Sequence, residues 1–367
     1  MGVMLETVMF GGARAGKTTL LTQMMSVVRT ELESAGLDLR VTQRTVEFFA
    51  KARDDLAELV DSVHRGESGL GHGIASTDPG APIRRYVVGI DNSDGVTAAL
   101  LAFHDYSGEY LQALTTERAA DVRGAFSKAR ALLVAVNTPT LMASLNSEDS
   151  VWNDLHINSN WPDVLNNVLT DYPTPDLVIF CPIKCERWIR EDPSGVKLRD
   201  AVQQGYRKPL NTLKKKNHAK QCLFIPVVTC GSIEFDGFGR SGSTEAPPTL
   251  RNVYEKFRPV SNGGKLSPMY NDQPLRHLMT HVLERVDYKA LSEAYAEDTP
   301  NTVWDFVMTA GKLITNVIAD EWTSVPWLPR FEGIKEVVDT FGGRREYQLA
   351  AETIAKRASV RPPIYRL

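Results

Sequence analysis

Apolar residues recur along this chain in two rhythms, short continuous runs and helically spaced stripes, and their alternation predicts a layered α/β structure. Leu5 to Phe10 is a short apolar run that meets a glycine turn, and Lys17 to Val28 then carries apolar residues at helical spacing. This is strand, loop, helix. From Glu31 to Gly73 the chain is charged and helix-prone, with Leu56, Leu59, Val60 and Val63 as a stripe before the glycine-rich stretch Gly66 to Gly73. That texture predicts a helical insertion over about 31–73 that ends in a loop. Arg85 to Ile90 and Thr97 to Phe103 are β-rich runs flanking Asp91, Asn92, Ser93, Asp94 and Gly95, which predicts an antiparallel hairpin. Ala131 to Val136, Leu177 to Cys181 and Leu223 to Val228 read as buried strands, with room for helices between them and hence on both faces of a sheet. Gly237 to Pro248 reads as a loop and Pro274 to Val286 as a closing helix, so residues 1–286 form one predicted domain. Beyond it, Val303, Val307, Ala310, Ile314 and Val317 keep helical spacing before the aromatic, proline-broken stretch Trp322 to Phe331. Residues 287–367 therefore read as a helical C-terminal extension.

Composition narrows the classes. The 42 basic and 45 acidic residues leave a formal net charge of -3, which offers no global field for nucleic acid. Cys181, Cys185, Cys222 and Cys230 make no CxxC pair or repeated metal spacing and read as reduced thiols, so a cytoplasmic location is expected. No uninterrupted apolar stretch approaches the roughly 20 residues of a membrane span. The stripe from Val303 carries Asp305, Lys312, Asn316 and Asp320 on its polar face, without the basic bias of a membrane-surface helix.

Candidate chemistry begins at Gly11-Gly12-Ala13-Arg14-Ala15-Gly16-Lys17-Thr18, which satisfies G-x-x-x-x-G-K-[ST] between a strand and a helix. Glycines let the backbone wrap closely, so that its N–H groups and the helix N-terminus face phosphates. Lys17 supplies a mobile cation, Thr18 a hydroxyl for Mg²⁺, and Thr19 joins them on the first helical turn. His104-Asp105-Tyr106-Ser107-Gly108-Glu109 follows a predicted strand. An Asp there can hold the Mg²⁺ shell, and Gly108 can offer its N–H to a γ-phosphate. Tyr106 stands where ATPases with a Walker B strand commonly carry a catalytic Glu.

Ile183-Lys184-Cys185-Glu186 and Val228-Thr229-Cys230-Gly231 each follow a predicted strand. A lysine stem can cover a base, and a carboxylate accepts from a paired N1–H and N2–H₂ that adenine does not present. With the first two motifs they resemble, in order, the elements of Ras-like P-loop GTPases: D-x-x-G at Asp105 to Gly108, N/T-K-x-D at Ile183 to Glu186, and the short base-reading loop at Thr229 and Cys230. Ile183 and Glu186 depart from the N/T-K-x-D pattern. Asp105 to Glu109 reads D-x-S-G-E and is similar to the bacterial double-GTPase families of conflict systems. The resemblance implies GTP or GDP with Mg²⁺ as ligands, Thr77 as the first-switch residue and third metal ligand, and a role in phage defence by analogy. It places Glu109 where many such GTPases orient the attacking water, and Arg14 is the nearest cation for the developing charge.

Three functions stay open at this level: a GTP-hydrolysing switch, an ATP-dependent enzyme such as a small-molecule kinase, and a module that holds nucleotide for assembly. Trp322 and Trp327 mark the extension as a surface for a partner protein or a second copy. The lysines at 214–216 read as a solvated helix end, and His104 as a strand-end residue.

Overall fold

The computed structural model describes residues 3–12, 15–34, 38–67, 84–91, 97–106, 119–145, 161–173, 175–216, 221–240, 253–260, 264–275, 277–278 and 365–366. Its strands are β1 (Val3–Phe10), β2 (Asp38–Val41), β3 (Arg84–Asp91), β4 (Thr97–Asp105), β5 (Ala131–Asn137), β6 (Leu177–Ile183), β7 (Gln221–Phe224), β8 (Ile233–Arg240), β9 (Val253–Pro259) and β10 (Tyr365–Arg366). The helices are α1 (Lys17–Ser34), α2 (Gln43–His64), α3 (Ala119–Lys128), α4 (Thr138–Leu145), α5 (Trp161–Asp171), α6 (Glu186–Glu191), α7 (Val196–Gly205) and α8 (Arg207–Lys216).

Among the described residues, eight strands form one sheet in the order β10-β7-β6-β5-β1-β4-β3-β2. Strands β4, β1, β5, β6 and β7 run parallel, while β3, β2 and β10 each pair antiparallel with their neighbours. Every residue of β6 is buried, as is every residue of β5 but Asn137, because helices cover both sides; this is why their sequences are unbroken apolar runs. Along β1 the side chains alternate. Leu5 and Met9 join a core with Leu20, Leu21 and Met24 of α1, whereas Val8 and Phe10 join one built with α3, α5, α7 and α8. The result is a mainly parallel α/β sheet with helices on both faces.

The chain leaves β1, returns in parallel on one side as β4, and then crosses to the other side as β5. Such a reversal opens a crevice beyond the carboxyl ends of the strands, where ligands of open α/β sheets bind. The loop after Phe10 sits at that crevice.

Several expectations change. The stretch read as a helical insertion holds α2 as expected, but α1 itself runs to Ser34 and Asp38–Val41 adds an edge strand to the sheet. Helix α2 starts where the Thr42 side chain accepts a hydrogen bond from the Thr45 N–H, and it buries Ala52, Leu56, Leu59, Val60 and Val63 on one stripe. Gly237 to Pro248 is not a loop throughout, because β8 continues to Arg240 and pairs antiparallel with β9. Strand β9, Val-Tyr-Glu-Lys-Phe-Arg-Pro, carries no apolar–polar alternation, so periodicity does not reveal it. Strand β7 ends at Phe224, yet the Ile225 and Val227 N–H groups still donate to the Phe180 and Pro182 carbonyls of β6 before Val228 bridges Met269. The predicted closing helix is described at 273–275 and 277–278, both helical, and the rest of it lies outside the described residues. So does the C-terminal extension except for β10, which is a strand rather than a helix and pairs with β7. The hairpin of β3 and β4 forms as expected.

Candidate nucleotide site

The loop at the end of β1 brings Lys17 back onto its own backbone. Its Nζ donates to the carbonyls of Gly11 at 2.9 Å and Gly12 at 3.0 Å, and stands 5.9 Å from the centre of the Tyr106 ring. The side chain is almost closed to water, and burial pulls its pKa down to about 8 against the opposing attraction of Asp105. Helix α1 begins with the Leu20 N–H donating to the Gly16 carbonyl at 2.9 Å. Two glycines are required by their neighbours. A Cβ on Gly12 would stand 2.4 Å from the Trp161 indole nitrogen, and Gly16 combines a φ of 94° with the Ile183 side chain 2.6 Å from where a Cβ would lie.

Asp105 closes β4 with no exposed surface. Thr18 Oγ1 donates to its Oδ2 at 2.9 Å, while Oδ1 is buried without a protein partner. Burial raises the Asp105 pKa, and the Lys17 charge, the Thr18 hydroxyl and Arg84 oppose that rise. A buried carboxylate oxygen with no donor, next to a threonine hydroxyl at the start of α1, suits a hard divalent cation. Tyr106 turns inward against Phe126, so it belongs to the core and not to the crevice. Ala13, Arg14, Thr77, Gly108 and Glu109 lie outside the described residues.

A second corner forms where β6 and β7 end. Lys184 holds a left-handed backbone with a φ of 55°, which disfavours any side chain and turns the chain sharply into α6. Glu186, the first residue of that helix, is buried, and its Oε1 accepts from the Thr229 N–H at 2.9 Å, the Thr229 hydroxyl at 3.0 Å and the Cys230 N–H at 2.8 Å. Burial raises its pKa, and the hydrogen bonds from Cys230 and Thr229 work against that rise. The two amides expected to face a base are thus donated to Glu186, because a buried carboxylate must find donors. The Gln23 side chain of α1 donates to the Thr229 carbonyl at 3.1 Å, which ties this loop to the helix that starts at Lys17.

Gly16, Thr19, Lys184, Glu186, Thr229 and Cys230 line one cleft. Leu56 and Leu59 of α2, Ile233 of β8 and Phe257 of β9 complete its wall. Sequence reasoning missed these four, together with Asn137 and Glu255. Glu255 of β9 accepts from Lys184 Nζ through Oε2 and from the Asn137 side-chain amide through Oε1 at 2.7 Å. It left no signal in the sequence, since its partners lie 71 and 118 residues away. Glu6, pushed up by partial burial but held lower by hydrogen bonds from His104 and Arg85, shares a hydrogen bond of 2.6 Å with His104 Nε2 near the end of β4. Lys216, in the last turn of α8, is not simply solvated as expected but donates to the carbonyls of Leu169 and Thr170 at the end of α5.

No helix of the described residues is long and apolar enough to cross a membrane. No protein-family model and no curated protein matches the chain. Among solved structures it is similar to the Ski7 GTPase-like domain of S. cerevisiae bound to GDP and inorganic phosphate, with 13% identity, a TM-score of 0.33 and coverage of 61% of this chain and 43% of that one. The same domain bound to GTP gives 14% identity, a TM-score of 0.38 and coverage of 78% of this chain and 51% of that one, so the chain spans about half the length of the structures it matches.

Proposed function

We propose that this protein is a guanine-nucleotide-binding switch that hydrolyses GTP. The observation that carries the proposal is the meeting of Thr18 and Asp105 at 2.9 Å beside the buried Lys17, at the crevice where the sheet reverses direction. Lys17 is a cation kept in a dry loop whose carbonyls it borrows, and an incoming triphosphate gives it a better partner. Thr18 and Asp105 would hold Mg²⁺, which when bound supplies charge to the β- and γ-phosphates. The cleft beside Lys184 and Glu186 is suited to the base. One Glu186 oxygen braces the Thr229–Cys230 loop and the carboxylate lines the cleft, which supports guanine over adenine because guanine offers the matching donors.

Calorimetry of wild type with GTP, GDP and ATP in the presence of Mg²⁺ tests this reading. We expect GTP to be preferred over ATP by at least about tenfold, roughly 1.4 kcal/mol, and Lys17→Ala to abolish tight binding. Equal affinity for ATP would move the reading to an ATP-dependent enzyme, and binding without turnover to an assembly module. Intrinsic hydrolysis is proposed to be slow and to rise with protein concentration, with Glu109 orienting water and Arg14 or a cation from another molecule supplying charge. Single-turnover rates of wild type, Glu109→Ala and Arg14→Ala across a concentration series check this. The conflict-system role rests on the D-x-S-G-E resemblance of Asp105 to Glu109 alone, and a phage challenge of cells carrying wild type or Lys17→Ala tests it.

A further inference from the structure

We infer that Glu255 is a positioning residue of the nucleotide site: it holds Lys184 as one wall of the base cleft and makes the β8–β9 hairpin part of that site. The inference rests on the nucleotide-binding reading above.

Four observations converge on it. Glu255 Oε2 accepts from Lys184 Nζ, and the side chains of both residues are less than one-fifth exposed. Its other oxygen accepts from Asn137, whose own carbonyl accepts from the Thr140 N–H at 3.0 Å, so the first turn of α4 fixes the amide that orients Glu255. The Lys184 stem passes the phosphate loop, with Cε 3.9 Å from where a Cβ on Gly16 would lie. Two residues further along β9, on the same strand face, Phe257 enters the cleft.

A lysine stem is flexible, and covering a base demands that it lie in one direction. Anchoring its ammonium to a carboxylate that is itself anchored removes that freedom before the nucleotide arrives. Lys184 lines the cleft and Glu255 stands behind it, so the effect of Glu255 passes through Lys184. The hairpin thereby senses the cleft, since any nucleotide that shifts Lys184 pulls on β9.

The test is a titration with fluorescent GDP, and separately with inorganic tripolyphosphate, for wild type, Glu255→Ala, Glu255→Asp, Lys184→Ala and the Glu255→Ala/Lys184→Ala double variant. We expect Glu255→Ala to weaken GDP binding about tenfold, mainly through faster release, as for loss of one charge-assisted contact. Glu255→Asp should recover part of the loss. The double variant should bind no more weakly than Lys184→Ala, and tripolyphosphate affinity should not change. A purely structural defect at Glu255 would lower tripolyphosphate affinity equally and add to the Lys184→Ala loss, and either result overturns the inference. So does wild-type GDP release from Glu255→Ala while wild type binds GDP tightly. Wild type that binds no guanine nucleotide overturns the functional reading itself.

Discussion

Lys17 carries a positive charge into a loop that excludes most water, and the nucleotide-free protein bears that cost. Its folded pKa of about 8 lies below the unfolded value of 10.5, so burial of the charged form costs about 3 kcal/mol at neutral pH. Because the folded state releases the proton first, the cost is complete below pH 8 and relieved as pH rises from about 8 towards 10.5. Lys17→Met should therefore be more stable than wild type in urea at pH 7 without nucleotide, and that advantage should shrink by pH 10. A constant difference across this window would mean that Lys17 is not titrating in the folded protein. The same loop depends on the absence of a side chain at Gly12, where the Trp161 ring leaves no room for a Cβ. We expect Gly12→Ala to weaken nucleotide binding by roughly tenfold or more, since loop carbonyls and amides must shift together. Adding Trp161→Ala should restore part of that loss in a binding titration.

At the scale of elements, the cleft beside Lys184 is assembled from pieces remote in sequence. Leu56, Leu59, Val60 and Val63 of α2 pack with Cys230 and Ile233, and Phe257 and Leu266 lie against them. Glu234 of β8 accepts from Arg190 of α6 and Arg258 of β9, which joins the hairpin to the helix that follows Lys184. Truncating Leu56 removes a buried side chain whose cavity cannot readily collapse between a helix and a hairpin. Leu56→Ala should cost about 3 kcal/mol in urea unfolding, and it should also speed nucleotide release, because the Cys230 loop loses its backing. Unchanged release with the full stability loss would show that α2 serves the fold without serving the cleft. The local readings that succeeded were those with a local cause. The strand, loop and helix around Lys17 were legible because glycine content, apolar runs and helical spacing act within about a dozen residues. Strand β9 hid because its residues do not alternate between apolar and polar, and its partner β8 is interrupted by Gly237 and Gly239.

Across the whole molecule, the sheet has one edge at β2 and another at β10. Tyr365 and Arg366 pair with Phe224 and Leu223, so the last described residues cover the edge of β7. A bare parallel edge strand with apolar side chains invites pairing with another chain. Truncation before Tyr365 should therefore produce concentration-dependent association in sedimentation velocity. A monomeric truncated protein would mean that β7 is covered by other means. We propose in addition that residues 287–367 dock a partner protein or a second copy through Trp322 and Trp327, and deletion of the segment followed by mass measurement tests that.

Local sequence alone revealed the glycine-rich turn between β1 and α1, the carboxylate at the end of the next parallel strand, and the layered α/β class. These follow from backbone conformations and burial patterns that neighbouring residues impose on one another. Tertiary structure alone decided that Glu186 braces the Thr229–Cys230 loop, that Gln23 ties that loop to α1 across 206 residues, and that Glu255 holds Lys184. The physical reason is that periodicity reveals which face of an element is buried but not what buries it. A charged side chain at the edge of a cleft takes whichever donor or acceptor the topology delivers, and here the topology delivers a hairpin that enters the sequence long after the strands it serves.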